Sequence, residues 1–163
     1  MIKGLHHNAY RCRDSEETRR FYEGFLELKF AHALHIRESM TGRRTDVLHT
    51  FYEMGDGSYL AFFEAPDRPF EFKDQHDYDL HIALEVDAGT LQRMFDKGRA
   101  EGREVRGISD HRFIRSIYFR DPNGYVIELT AKMPNHDGAM DPATNDAGRI
   151  LAEWQKDKLR ETV

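Results

Sequence analysis

One order of elements occurs twice in this chain, and that repeat limits the fold more than any other feature. Residues 4–12, GLHHNAYRC, alternate as a strand does: His7, Ala9 and Arg11 share one face, and His6, Asn8, Tyr10 and Cys12 the other. DSEETRRFYEGFLEL follows, with Asp14 placed as an N-cap, Glu17 three residues on as in a capping box, and Phe21, Tyr22, Phe25 and Leu26 at helical spacing. KFAHALHIRE, DVLHTFYEM and SYLAFFEA read as three strands, the last two joined by a turn at Gly55–Gly57. After the polar stretch DRPFEFKDQHDYD the order returns. DLHIALEVD is a strand, AGTLQRMFDKGRAE a helix with Leu91, Met94 and Phe95 inside, and REVRGIS, FIRSIYFR and YVIELTA are strands, with DPNG as the last turn. His7 aligns with His81, each two residues before an alanine, and Gly57 aligns with Gly124. The pattern predicts an α+β fold of two βαβββ modules, residues 1–68 and 76–133, followed by a loop and C-terminal helix, residues 134–163.

With 163 residues the chain can bury one real core. A formal net charge of -5 argues against nucleic acid or an anionic membrane as the main partner. No apolar run approaches the ~20 residues of a membrane helix. The N-terminus shows no secretory hydrophobic region, so a cytoplasmic protein is expected. Cys12 is the single cysteine, which excludes an internal disulfide. In the tail, Ile150, Leu151 and Trp154 fall on one side of a short amphipathic helix. Packing on the outside of the domain and a lid or dimer contact are the two readings of that face.

Strand parity then singles out a set of ligands. In YVIELT, Ile127 and Leu129 face the helices, which turns Glu128 to the opposite, concave side. A carboxylate there must be paired, hydrated or bound to metal. In DLHIALEV the apolar residues Leu80, Ile82 and Leu84 take the helix side, leaving His81, and by duplication His7, on the concave side. Two histidines and one carboxylate with open positions suit non-haem Fe(II).

HHNAYRCRDSEETRRFYEGFLEL, DLHIALEV and YFRDPNGYVIELT, in this duplicated order, resemble the vicinal oxygen chelate superfamily across about residues 4–132. That group includes glyoxalase I, methylmalonyl-CoA epimerase, fosfomycin-resistance transferases, bleomycin-binding proteins and extradiol dioxygenases. The resemblance implies a cupped mixed sheet around a metal held by His7, His81 and Glu128. The superfamily's fourth ligand position falls on Ala61, which cannot ligate, and this disfavours the four-ligand enzymes. Glu64 is close by but points to the other face by parity. HRFIRSIYFRDPNGYVIE also carries the extradiol signature, in His111, Ile117-Tyr118, Asp121-Pro122, Gly124 and Glu128. It departs only at Ser109, where Gly, Asn, Thr, Ile or Val is usual.

What the resemblance implies is an Fe(II) enzyme, or alternatively one using Mn(II), that cleaves a small aromatic diol with O2. His49 would be its acid–base, and His111 and Tyr118 would bind substrate oxygens. His49 can also be read as an ordinary strand histidine, and Phe51, Phe63 and Phe113 as core rather than pocket wall. His6 is expected to point away from His7. A homodimer is the superfamily's habit. The competing functions are a glyoxalase-like lyase, isomerase or transferase, and a metal-free binding protein.

Overall fold

The computed structural model describes residues 1–74 and 76–160. The first module contains β1 (Tyr10–Arg11), α1 (Ser15–Arg19, continued by π-helical turns over Arg20–Phe25), β2 (Lys29–Glu38), β3 (Arg44–Glu53) and β4 (Tyr59–Glu64). The second contains β5 (His81–Glu85), α2 (Ala88–Ala100), β6 (Val105–Asp110), β7 (Ile114–Arg120) and β8 (Val126–Lys132). Each module makes one four-stranded sheet, in the order β1-β4-β3-β2 and β5-β8-β7-β6. The duplication therefore extends to topology, with a parallel first–last pair and two antiparallel pairs in both. Register extends it to single residues: Phe51 faces Ala61 in one sheet and Tyr118 faces Glu128 in the other. Gly57 and Gly124 both have positive φ, +81° and +96°, where a side chain is strained.

Local sequence explains the differences from the expected elements. The first strand is short because Asn8 Oδ1 takes the Ala61 N–H at 3.1 Å, and only a single bridge joins His7 to Tyr59. Strand parity is lost at its start, so His6 does not turn away: its Nδ1 lies 2.8 Å from that of His7. The capping box is half made. Asp14 Oδ1 accepts the Glu17 N–H at 2.7 Å, but the Glu17 carboxylate pairs with the Arg13 guanidinium instead of reaching back. The π-helical turn is closed by the Leu26 N–H on the Phe21 carbonyl, and it buries Phe21, Tyr22 and Phe25. The tail contains α3 (His136–Met140) and α4 (Ala147–Arg160). Residues 161–163 of the expected tail helix lie outside the described residues. Ile150, Leu151 and Trp154 stay 57–64% exposed, so this face is not packed on the body of its own chain. No helix among the described residues is long and apolar enough to cross a membrane.

The two modules share one core. Tyr22 lies against Tyr52 and Phe62 of the first sheet, while Phe25 meets Phe119 of the second edge-on at 5.1 Å. Leu60 and Phe62 belong to the same buried cluster as Ile117, Ile127 and Leu129. A polar rivet runs through it. Buried Asp121, at the head of the DPNG turn, accepts the Tyr22 hydroxyl at 2.9 Å, Asn123 Nδ2 at 3.0 Å and the N–H groups of Asn123 and Tyr125 at 2.8 Å. Asn123 in turn accepts the Arg13 N–H and donates to Thr18. Lys97 Nζ caps the Phe25 carbonyl at 2.8 Å. The linker is fixed at the same turn: the Lys73 N–H donates to the Asn123 carbonyl, and a Cβ on Gly124 would lie 2.6–2.7 Å from the Lys73 backbone.

Two outcomes follow from this joint. Asp121→Asn puts an amide N–H₂ among donors and lowers stability by about 2 kcal/mol in urea unfolding. Cys12 is 1% exposed, and burial pushes its thiol up to about 11. Ellman's reagent will leave it unmodified in native protein and titrate one thiol per chain after unfolding in guanidinium.

Candidate active site

The sheet faces turned away from the shared core carry the candidate residues. On the second sheet, β5 pairs in parallel with β8, placing Ala83 opposite Glu128, with His81 two residues before it on the same face. The His81 Nδ1–H donates to the Asp77 carbonyl at 2.8 Å, which leaves the Nε2 lone pair facing Glu128 Oε2 at 3.3 Å. The carboxylate is 5% exposed. Two lone-pair atoms at that distance call for a proton or a cation between them. This is the donor chemistry of a divalent-metal site, so the residues present fit a metal.

Beside it, the Tyr118 hydroxyl donates to Glu128 Oε1 at 3.4 Å and lies 2.9 Å from His111 Nε2. Burial, together with the Glu128 carboxylate, holds the Tyr118 phenol above its ordinary value, so it stays a donor at neutral pH. His111 sits in the β6–β7 turn, which is fixed by the His111 N–H on the Ile114 carbonyl and the Arg112 N–H on Asp110 Oδ1.

Two groups that the sequence did not single out complete this face. Arg106 stands opposite Tyr118 in register, with its guanidinium 5.2 Å from the ring centre. It also donates to the Asp77 carboxylate at 2.6 Å. Asp77 thus uses its side chain to hold Arg106 and its carbonyl to hold His81. Register across β6–β7 could have pointed to Arg106; a backbone carbonyl leaves no signal in sequence.

The other candidates lie on the first sheet. His7 is exposed, with its ring 6.0 Å from that of His49 and 5.5 Å from Phe51. His49 is buried. Its Nδ1–H donates to the Phe62 carbonyl at 3.0 Å, and its ring stacks on Phe63 at 3.7 Å. Burial holds this imidazole below its ordinary value, the Phe62 carbonyl opposes the shift, and His7 adds to it. Glu64 is on the helix side, where it accepts the Ser15 N–H at 2.7 Å and caps α1. Ala61 is fully buried at the position equivalent to Glu128.

The expected ligand set is therefore divided. The fold brings His81, Glu128, Tyr118 and His111 together, and His7 with His49, but on different sheets. Among the described residues, no three His, Cys, Asp or Glu side chains gather as a metal-holding group.

Comparison with known proteins agrees with the duplicated topology. Solved structures of similar fold include the fosfomycin resistance protein FosX from Mesorhizobium loti (24% identity, TM-score 0.62, covering 85% of this chain and 99% of that one). FosX from Listeria monocytogenes, solved with Mn(II) and sulfate, is 20% identical at TM-score 0.61, covering 84% and 98%. A glyoxylase/bleomycin resistance protein/dioxygenase domain from Frankia sp. EAN1pec is 17% identical at TM-score 0.66, covering 85% and 99%. At these identities the likeness is one of fold. The sequence profile of the Glyoxalase/Bleomycin resistance protein/Dioxygenase superfamily matches residues 4–129, most of the chain, and with its two βαβββ modules this protein belongs to that superfamily.

Proposed function

We propose that this protein is a non-haem iron dioxygenase that opens a catechol ring beside its two hydroxyl groups. The observation that carries the reading is the line His111–Tyr118–Glu128, joined at 2.9 and 3.4 Å and adjoining His81. Fe(II) held by His81 and Glu128, and by His7 where a first-module face is brought against them, would supply the positive charge that acidifies the catechol and the site at which it meets O2.

The remaining work falls to the chain's own groups. Tyr118, kept protonated, donates to a substrate oxygen, and His111 orients that hydroxyl. His49 presents only Nε2, because its Nδ1–H is tied to the Phe62 carbonyl. Kept neutral by burial, it takes the catechol's second proton and returns it as the ring opens. Phe51 and Phe63 border His7 and His49 and offer an apolar wall to an aromatic ring. Both atoms of O2 enter the product, so no further reductant is required.

A second reading keeps the metal but not the oxygen chemistry. Buried Ala61 leaves three ligands, a set equally suited to a Mn(II)-dependent addition, transfer or isomerisation. The likeness in fold to a Mn(II)-bound FosX supports it. A metal-free binding protein is the third possibility, and the His81–Glu128 approach weighs against it.

Oxygen uptake by anaerobically Fe(II)-loaded protein with a panel of catechols separates these readings. Uptake of one O2 per catechol with a yellow product is expected, and Tyr118→Phe is expected to lower kcat at least about a hundredfold with iron still bound. Bound metal without uptake across the panel would transfer the case to the Mn(II) reading, and a protein that retains no metal would transfer it to the binder. Arg106→Met provides a separate check on how His81 is held. It is expected to weaken Mn(II) binding about tenfold in chelator competition, while leaving the unfolding midpoint of the apoprotein nearly unchanged.

A further inference from the structure

The second sheet runs β5-β8-β7-β6, so β5 and β6 are its outer strands and stand about 14 Å apart. One linker residue nevertheless holds a side chain from each. The Asp77 carbonyl accepts the Nδ1–H of His81 on β5 at 2.8 Å, and the Asp77 carboxylate accepts Arg106 on β6 at 2.6 Å. Between these strands, and on the same face, lie Glu128 of β8 and Tyr118 of β7. The Arg106 guanidinium reaches Asp77 across the Tyr118 ring, 5.2 Å from its centre, and His81 reaches it from beside Glu128, 3.3 Å from Oε2. Asp77 therefore stands over the two groups that the proposed reaction uses, and its charge helps to keep the Tyr118 phenol protonated. Glu128 beneath is 5% exposed, although its face is turned away from the shared core.

The turn that carries Asp77 is closed on itself. The Asp79 and Leu80 N–H groups both donate to the His76 carbonyl, at 2.9 and 3.4 Å, and the Tyr78 N–H donates to His76 Nδ1 at 3.2 Å. The rings of His76 and Tyr78 lie 4.5 Å apart, and Tyr78 is 93% exposed. The chain is tied to the body ahead of this turn by the Lys73 N–H on the Asn123 carbonyl, and after it at His81, where β5 begins. A compact turn anchored at both ends moves as one piece. Its tie across the sheet is the Arg106–Asp77 ion pair, with side chains 50% and 24% exposed, and a pair so open to water is weak and breaks readily.

We infer that residues 76–80 form a strap over the second-module face and that Arg106 latches it. With the pair made, the strap covers Glu128 and Tyr118. With it broken, the turn lifts about its two anchors and the face opens to a divalent ion or a substrate. The latch rests on geometry alone, and its control of access rests on the metal reading above.

Two readouts test it. Nitroxide labels are attached through Tyr78→Cys and Glu104→Cys, both at exposed positions, while buried Cys12 stays unlabelled. Pulsed spin-resonance distances in the apoprotein are expected to form one narrow peak, which Arg106→Met broadens toward longer distances. Identical distributions in the two proteins would overturn the strap. In stopped flow, Arg106→Met is expected to take up Mn(II) about fivefold faster and to release it about fiftyfold faster, the ratio being the loss of affinity expected of this variant. A residue that only steadies His81 would speed release and leave uptake unchanged, and that result would overturn the control of access. Asp77→Asn, which keeps the carbonyl that holds His81, is expected to speed uptake to the same extent. A wild type that binds no Mn(II) would sink the metal reading and, with it, the control of access, and the distances would then decide the latch alone.

Discussion

The Asp121 carboxylate is the point on which the arrangement of the two modules depends. It is buried, and it is satisfied by four donors, one of which, the Tyr22 hydroxyl, comes from the other module. A buried carboxylate tolerates little displacement of its donors, because each lost hydrogen bond exposes a charged group to an apolar surrounding. Tyr22 is at the same time the ring on which Tyr52 and Phe62 rest. Polar satisfaction and aromatic packing therefore fix the same geometry. The ion pairs of Glu27 with Arg93 and Lys97 cross the same joint, but they are half-exposed and contribute little beside it.

His49 and His81, one in each sheet, are oriented by main chain rather than by carboxylates. Asp77 and Phe62 each offer a carbonyl to the Nδ1–H of a histidine, and each leaves Nε2 on the open face. A carbonyl accepts only, so it selects one tautomer without adding charge to the site. The carboxylate count near His81 thereby stays at one, Glu128, with Asp77's side chain neutralised by Arg106.

Most of this was legible in the sequence because the information was periodic. Strand parity placed His81 and Glu128 on the side opposite the helices and Glu64 on the helix side, and the constant offset between modules put His7 where His81 stands and Ala61 where Glu128 stands. The extradiol spacing singled out His111 and Tyr118, which the fold places in contact. The failures occurred where backbone groups or distant contacts decide. Asn8 replaces a ladder hydrogen bond with a side-chain one, so the first strand shortens and His6 turns toward His7. Arg13 competes for Glu17 and leaves the capping box half made. The DPNG stretch reads as a turn, and nothing in its four letters announces that Asp121 and Asn123 will be buried against the other module's helix. Convergence of the three ligands was argued from parity, which ranks faces within one sheet and says nothing about how two sheets are set relative to each other.

Gly124 carries a consequence for that last question. Its α-carbon lies so close to the Lys73 backbone that one added methyl would not fit, and the linker is pinned there by the Lys73 N–H on the Asn123 carbonyl. The route by which the chain passes from one module to the next is thus set by a missing carbon in the last hairpin turn. In a duplicated protein, the linker's path decides which half-site each module can reach. Selection on such a hinge can re-pair the halves of an active site while every residue that does chemistry stays the same.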